Sequence, residues 1–235
     1  MIRRDYILRM IEEFVQVLSR LKSLKRGQLW REAGGVLDQE FQRLTGAGAA
    51  AVAQLTDTEL LARVITGEPT QVVRQKALML TALLKEAGEL AGAQGRPGES
   101  RASYLKGLHL LLDTLARHEA FECPDFAPRV EVFVAALGDQ PLPLQTQARL
   151  MQHYELTGEF GKAEDCLFAM LEAEPGNDAL VEFGIAFCQR LRGQSDASLA
   201  AGNLPRPELE AGLAELRGLR TPPAQSSSGT WPRNP

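Results

Sequence analysis

The fold class is decided by residues 144–177, whose sequence is LQTQARLMQHYELTGEFGKAEDCLFAMLEAEPGN. Large apolar residues recur three or four positions apart on both sides of Gly158, with Leu150 and Tyr154 before it and Leu167 after it. This period is that of an amphipathic α-helix, and glycine readily adopts the backbone conformation that ends a helix. The stretch therefore predicts two antiparallel helices that pack face to face.

The same helical period runs through nearly the whole chain, and the alternation typical of strands is almost absent. We expect about ten helices, including those at residues 2–25, 29–44, about 56 onward, 69–93 and 99–117, and the antiparallel pair within residues 144–177. Residues 128–137 allow two interpretations, because Val130, Val132 and Val134 alternate as in a strand. A helix is favoured, since Phe133 and Leu137 complete a helical stripe and no second strand exists to pair with this one. The predicted fold class is all-α.

Two local signals predict details of the first helices. Thr56 and Glu59 have the S/T-x-x-E spacing of a capping box, which predicts a helix that begins after Thr56. Gly34 and Gly35 lie inside the second predicted helix, where each costs about 1 kcal/mol relative to alanine. We interpret this pair as a sign that the second helix closely approaches the first.

Composition and charge exclude several classes of function. The chain has 235 residues, 44% of them hydrophobic, and a net charge of −4, so it can bury a core and has no overall positive field for nucleic acid. Its apolar runs are far shorter than the roughly 20 residues that span a bilayer, and Arg9 and Glu12 interrupt the apolar region that a signal peptide needs. Three widely spaced cysteines fit reduced thiols. We expect a cytoplasmic protein without nucleic-acid binding or stable membrane insertion.

A shift of 63 positions relates two parts of the sequence: Gly88, Gly95, Tyr104 and Leu108 correspond to Met151, Gly158, Leu167 and Leu171. Both parts resemble tetratricopeptide repeats, in which small residues and a turn glycine recur over about 34 residues. The resemblance is incomplete, because Met151 occupies a site that is usually small and Ser100 stands where alanine is usual. It implies an irregular tetratricopeptide-like array of helical hairpins, an α-solenoid.

A second resemblance concerns the amino-terminal part. The segments DYILRMIE at residues 5–12 and ALLKEAG at residues 82–88 resemble an uncharacterised bacterial family of unknown function. The resemblance implies one helical unit at residues 1–117, built from helix-turn-helix pairs. It suggests no mechanism. We expect residues 118–219 to form a tetratricopeptide-like repeat unit that ends in a C-terminal capping helix. A disordered tail is expected at residues 220–235, which are rich in proline, serine and glycine.

The repeat resemblance also implies a binding groove, since the exposed side of each first helix lines the concave surface of such arrays. The positions that match are Lys85, Glu89, Gln145, Gln152 and Glu155. Their mixed charges and amides suit a polar peptide from a protein partner. The alternative interpretation is that they are ordinary solvent-facing residues.

Charge is distributed unevenly along the chain. Residues 1–26 hold seven basic and three acidic residues, whereas residues 155–182 hold eight acidic residues and one lysine. The basic residues end in a patch formed by Arg20, Lys22, Lys25 and Arg26. This patch either stabilises its own helix dipole, or contacts an acidic partner or the acidic repeat of a second copy in a homo-oligomer, or attaches weakly to an anionic membrane.

No cluster in the sequence predicts a catalytic centre, a cofactor site or a metal site. His109, His118 and His153 are isolated, and Cys166 and Cys188 are more simply explained as small buried residues than as ligands. We therefore expect a non-enzymatic protein-interaction or scaffolding module. Two alternatives stay open: a self-assembling structural protein that joins its basic helix to its acidic repeat, and an enzyme or small-ligand binder whose pocket combines distant residues.

Overall fold

The structure is a computed structural model that describes residues 2–67, 69–116 and 122–219, with side chains from Asp5 onward. Across these residues the regular secondary structure is entirely helical, which confirms the predicted all-α class. The described helices are α1 (Ile2–Arg26), α2 (Trp30–Thr45), α3 (Ala49–Gln54), α4 (Asp57–Ile65), α5 (Thr70–Ala93), α6 (Pro97–Leu115), α7 (Val130–Leu137), α8 (Leu144–Thr157), α9 (Phe160–Ala173), α10 (Asp178–Leu191), α11 (Asp196–Ala201) and α12 (Arg206–Leu219).

The described part of the chain has more helices than the expected ten, because α3 and α11 are only six residues long each. The first of these, α3, lies in the alanine-rich stretch before Thr56. Such short helices lack the repeated apolar spacing from which the longer ones were recognised. The expected disordered tail, residues 220–235, and His118 lie outside the described residues.

Two sequence signals that fix helix boundaries are confirmed. Thr56 caps α4: its hydroxyl oxygen accepts a hydrogen bond from the Glu59 N–H at 3.2 Å, and the Glu59 carboxylate accepts one from the Thr56 N–H at 2.8 Å. Residues 130–137 form α7 rather than a strand, with Val130, Phe133 and Leu137 buried on one face. The helical stripe therefore outweighs the alternation of valines in that segment.

The chain divides into two compact units, a first unit of residues 1–142 and a second unit of residues 143–235. The sequence predicts the boundary between the two units at residues 117–118, ahead of α7. In the structure α7 packs against α6, where the buried Phe133 ring lies 6.4 Å from the Tyr104 ring, edge to face. A Cβ on Gly107 would lie 2.6 Å from the Phe133 ring, so the absence of a side chain there makes room for it. This contact explains why α7 joins the first unit.

The first unit is built around α5, which contacts α1, α2, α4 and α6. Its side chains are buried around most of the helix; the innermost are Leu78, Met79, Leu80, Thr81 and Leu83. The long partner α6 returns along α5 and buries Leu108 and Leu111 against it. A helix that is apolar on nearly all sides is typical of the centre of a helical domain.

Within the described residues, four helices end in the same backbone turn, the Schellman motif, in which one residue takes a left-handed conformation. After α5, Gly95 has φ +71°, and the Gly95 and Arg96 N–H groups donate to the carbonyls of Gly92 and Ala91. After α8, Gly158 has φ +79° and the same pair of bonds recurs 63 residues later. The turns at Gln28 and Asn203 repeat the pattern with φ +55° and +57°. The sequence shift of 63 therefore corresponds to an equivalent turn.

The second unit consists of the α8–α9 hairpin followed by α10, α11 and α12. The loop after α11 contacts the start of α9, where the Gly161 N–H donates to the Gly202 carbonyl at 2.8 Å. Gly184 lets α10 approach both neighbours, since a Cβ there would lie 2.9 Å from Leu167 of α9 and 3.2 Å from Leu216 of α12. These contacts make residues 143–219 a small helical core of their own.

The expected close approach at Gly34 and Gly35 is wrong. A Cβ on Gly34 would meet only a Leu90 methyl at 3.9 Å, and a Cβ on Gly35 would meet nothing within 4 Å. Neither glycine is therefore required by the packing of α1 on α2. The described residues include no helix that combines the length and the hydropathy needed to cross a membrane.

We expect Gly107→Ala to lower the free energy of unfolding by about 1–3 kcal/mol, because the new methyl group must displace the buried Phe133 ring. The matched control, Gly35→Ala, is expected to raise it by about 0.5–1 kcal/mol, since alanine favours the helix and the site is open. Urea unfolding followed by circular dichroism measures both changes. Equal stability of the two variants would contradict the packing described for α6 and α7.

Candidate functional site

A groove of about 960 Å³ lies between α8 and α10 of the second unit. The groove opens to solvent, and side chains from both helices form its walls. They include Gln145, Arg149, Gln152, Glu155, Leu156, Phe183 and Arg190. Grooves of several hundred Å³ with apolar walls and a few polar groups are the usual form of binding sites in proteins.

Two large apolar side chains in the groove are exposed. Leu156 is 52% exposed and Phe183 is 42% exposed, on opposite walls. Across the described residues of the second unit, the other exposed large apolar side chain is Leu219, at the end of α12. Exposed apolar area concentrated in a concavity marks a surface that buries it against something else.

An ion pair joins the two walls. The Arg190 Nε and Nη2 atoms donate to the two carboxylate oxygens of Glu155, each at 2.8 Å. This two-point geometry is the most specific that arginine and a carboxylate form. The hydrogen bond to Glu155 raises the pKa of Arg190 further above its ordinary value. The pair therefore joins α8 to α10 at one end of the groove.

The five groove residues implied by the repeat resemblance belong to two different units. Gln145, Gln152 and Glu155 line the α8–α10 groove together. Lys85 and Glu89 belong to α5 in the first unit. Sequence reasoning missed Leu156, Phe183 and Arg190, because their place in the groove depends on how α8 and α10 pack. The relevant signal was that Leu156 lies outside the stripe formed by Leu150 and Tyr154.

Lys85 and Glu89 belong to an ion-pair cluster with Lys25 and Glu86, in which the Lys25 ammonium contacts both carboxylates. Glu86 is only 3% exposed, and Lys85 lies 3.1 Å from its Oε1 atom. Burial alone would raise the pKa of Glu89, but hydrogen bonds from Lys25 and Lys85 bring it below its ordinary value. Burial alone would lower the pKa of Lys85, but its carboxylate partners raise it. The cluster joins α1 to α5.

One of the four residues of the predicted basic patch, Lys25, belongs to this ion-pair cluster. Arg20, Lys22 and Arg26 are exposed at the end of α1, whereas Lys25 is half-buried and contacts Glu86 and Glu89. Lys25 therefore has a structural role in the first unit, because its ammonium group lies between two carboxylates. Three exposed basic side chains remain for outside contacts.

The cysteines and histidines form no site in the described part of the chain. No group of three or more histidine, cysteine, aspartate or glutamate side chains there is placed to hold a metal ion. Cys166 and Cys188 are buried, and burial raises the pKa of the first thiol to about 12 and of the second to about 11. His109 contacts Asp57 at 2.8 Å, between its Nδ1 atom and the carboxylate. That contact joins α6 to the first turn of α4.

A second cavity, of about 450 Å³, lies in the first unit between α2, α3, α5 and α6. Its walls are mostly alanine, leucine and glycine, and charged side chains stand at the rim. One of them, Lys106, donates from its ammonium group to the Val52 and Ala53 carbonyls, both at 2.9 Å. Lys106 thus caps the carboxyl end of α3, and burial lowers its pKa.

An acidic group lies where α9 meets α12. The Glu164 carboxylate occupies space that a side chain on Gly212 would need, with 2.6 Å between its Oε1 atom and the position of a Cβ. Burial raises the pKa of Glu164 to about 7, and Glu208, Asp165 and Glu215 add to the shift by repulsion. This carboxyl group therefore changes charge near neutral pH.

Comparison with known proteins places the whole described chain in one family. The sequence profile of a family of unknown function, DUF6483, matches residues 1–221. The chain belongs to this family. No curated protein and no solved structure matches the chain. The DUF6483 match covers both units and agrees with the resemblance of the amino-terminal part to an uncharacterised family; it does not identify a tetratricopeptide repeat.

We expect Glu86→Gln to destabilise the first unit of this DUF6483 protein by roughly 1–3 kcal/mol, because Lys25 would lose one of its two carboxylate partners at a buried position. The control is Glu99→Gln, whose ion pair with Arg96 is exposed and should contribute less than about 1 kcal/mol. Denaturant titration measures both. Equal effects would contradict the structural role of the cluster.

Glu164 predicts a pH dependence of stability. Its pKa of about 7 in the folded state exceeds the value of 4.5 taken for an unperturbed glutamate, so the folded protein binds the extra proton. The contribution of Glu164 to the free energy of unfolding should be most favourable below about pH 4.5 and should fall as the pH rises through 7. For a half-exposed carboxyl group we expect a loss of roughly 1 kcal/mol.

The matched variants are Glu164→Gln and Glu172→Gln, the latter at an exposed position of the same helix. Denaturant midpoints at pH 6 and pH 8 should differ less in Glu164→Gln than in the parent chain, whereas Glu172→Gln should keep the parent difference. An unchanged pH dependence in Glu164→Gln would show that Glu164 does not titrate in this range.

Proposed function

We propose that the chain is a protein-interaction module of helical-repeat type, arranged as an irregular tetratricopeptide-like array, and that its α8–α10 groove binds a peptide segment of a partner protein. The observation that carries the proposal is the exposure of Leu156 and Phe183 inside one groove. Exposed apolar anchors inside a concavity are typical of surfaces that bind short segments.

The polar residues of the groove suggest how such a segment is oriented. Gln145 and Gln152 offer amide groups that can donate and accept hydrogen bonds, as a peptide backbone does. Arg149 and Arg190 lie in the groove, although residues 143–219 together hold twice as many acidic as basic residues. Because Arg190 is held by Glu155, a segment with apolar anchors and a neutral polar flank is the best match.

The proposal is for binding rather than catalysis. The charged wall residues Glu155 and Arg190 are engaged with each other in a structural ion pair. The groove lining contains no cysteine or histidine among the described residues, and the Thr157 hydroxyl donates to the His153 carbonyl at 3.1 Å. We place the module in the cytoplasm, because its three cysteines are unpaired thiols.

The test is a selection of random peptides displayed on phage against the immobilised full chain, followed by fluorescence anisotropy with the best peptide. Phe183→Glu and Leu156→Glu should each weaken binding by about tenfold or more, as expected for an apolar anchor residue. Leu219→Glu is the matched control, since that leucine is 50% exposed but outside the groove. Binding that is equal in all three variants, or no enriched peptide, would contradict the proposal.

A further inference from the structure

The cavity of the first unit is bounded by four helices, α2, α3, α5 and α6. Its inner walls are buried and apolar, and they include Leu37, Phe41, Val52, Leu84 and Leu90. Its volume of about 450 Å³ is roughly three times that of an engineered apolar cavity that binds benzene. Protein interiors contain few spaces larger than a water molecule, so a cavity of this size needs an explanation.

One glycine keeps part of this cavity open. Gly34 lines the cavity from the interior of α2, where glycine stabilises a helix less than alanine does. A Cβ at this position would approach only the Leu90 methyl group, at 3.9 Å, so helix packing does not require a glycine here. Because Leu90 is itself part of the wall, a larger side chain on Gly34 would extend into the cavity. The effect of this glycine is therefore space inside the cavity.

The charged groups at the mouth of the cavity already have partners. The Lys106 ammonium group donates to backbone carbonyls at the carboxyl end of α3, and Arg96 contacts the Glu99 carboxylate. The Ser103 hydroxyl donates to the Glu99 carbonyl at 2.9 Å. A charged ligand would have to compete with these contacts, which lie within the first unit. The mouth therefore does not favour a ligand with a net charge.

We propose that this cavity binds an uncharged apolar small molecule. Such a molecule loses its contact with water on entry and gains dispersion contacts with the leucine, alanine and phenylalanine side chains of the walls. Water fills the same space poorly, because a buried water molecule needs several polar partners. A carboxylate or phosphate group would compete with Glu99 for Arg96 and with the α3 carbonyls for Lys106.

A segment of protein fits the cavity less well than a small molecule does. Two turns of α-helix are about 11 Å long and 10–12 Å across, so they need roughly 1,000 Å³. An extended segment would bring its backbone N–H and C=O groups against alanine and leucine side chains, which cannot form hydrogen bonds with them. This site is distinct from the α8–α10 groove, which belongs to the second unit and has a peptide as its proposed ligand.

The test of ligand class uses two dyes that share one ring system. Phenylnaphthylamine is uncharged, and anilinonaphthalene sulfonate adds one sulfonate group to the same rings. Both dyes fluoresce more strongly outside water, so a fluorescence titration of the full chain gives both dissociation constants. We expect the uncharged dye to bind roughly tenfold more tightly or better, because the sulfonate must be desolvated without a new partner. Equal or tighter binding of the sulfonate would overturn the choice of an uncharged ligand.

Variants of α2 test whether the dye binds in the cavity. Gly34→Leu should weaken binding of the uncharged dye by roughly tenfold or more, since its side chain fills space that the dye needs, and Gly34→Ala should weaken it less. Gly35→Leu is the matched control, because Gly35 is exposed on the same helix and lies outside the lining. Leu156→Glu, in the groove of the second unit, should also leave dye binding unchanged.

Circular dichroism checks that each variant keeps the helix content of the parent. A parent chain that binds no dye, or Gly34→Leu with the affinity of the parent, would overturn the proposal. Equal weakening in Gly34→Leu and Gly35→Leu would also overturn it, because the effect would then not depend on the cavity.

Discussion

The architecture depends on how the chain ends its helices. At Gln28, Gly95, Gly158 and Asn203 one residue turns into the left-handed conformation, and two backbone hydrogen bonds close the preceding helix. These bonds satisfy carbonyl groups that would otherwise lack partners at the helix end. The turn also sets the direction of the next segment, so the packing of each hairpin follows from it.

The groove between α8 and α10 is a consequence of the turn at Gly158. That turn brings α9 back against α8, and Gly184 allows α10 to pack closely on Leu167 of α9. α10 thereby comes within reach of α8, and the Glu155–Arg190 pair joins the two. The same arrangement leaves Leu156 and Phe183 facing solvent inside the groove. The binding proposal therefore rests on backbone geometry as much as on the side chains themselves.

The sequence predicted the helices well because apolar periodicity and capping residues act locally. The 63-residue relation between Gly95 and Gly158 also had a structural counterpart, whereas the equivalent turns at Gln28 and Asn203 lack the glycine that would reveal them. What could not be predicted depends on contacts between distant residues. The sequence does not distinguish Lys25 from an exposed lysine, because only the fold places it between Glu86 and Glu89.

The central claim is that the α8–α10 groove is a binding surface. The most direct measurement is a methyl NMR titration of the chain, labelled at leucine and methionine, with the best peptide from the displayed library. We predict that the resonances of Leu156, Met151 and Leu191, which line the groove, shift most, and that Leu8 on α1 stays unchanged. Shifts centred on α1, or no localised shifts at saturating peptide, would contradict the claim.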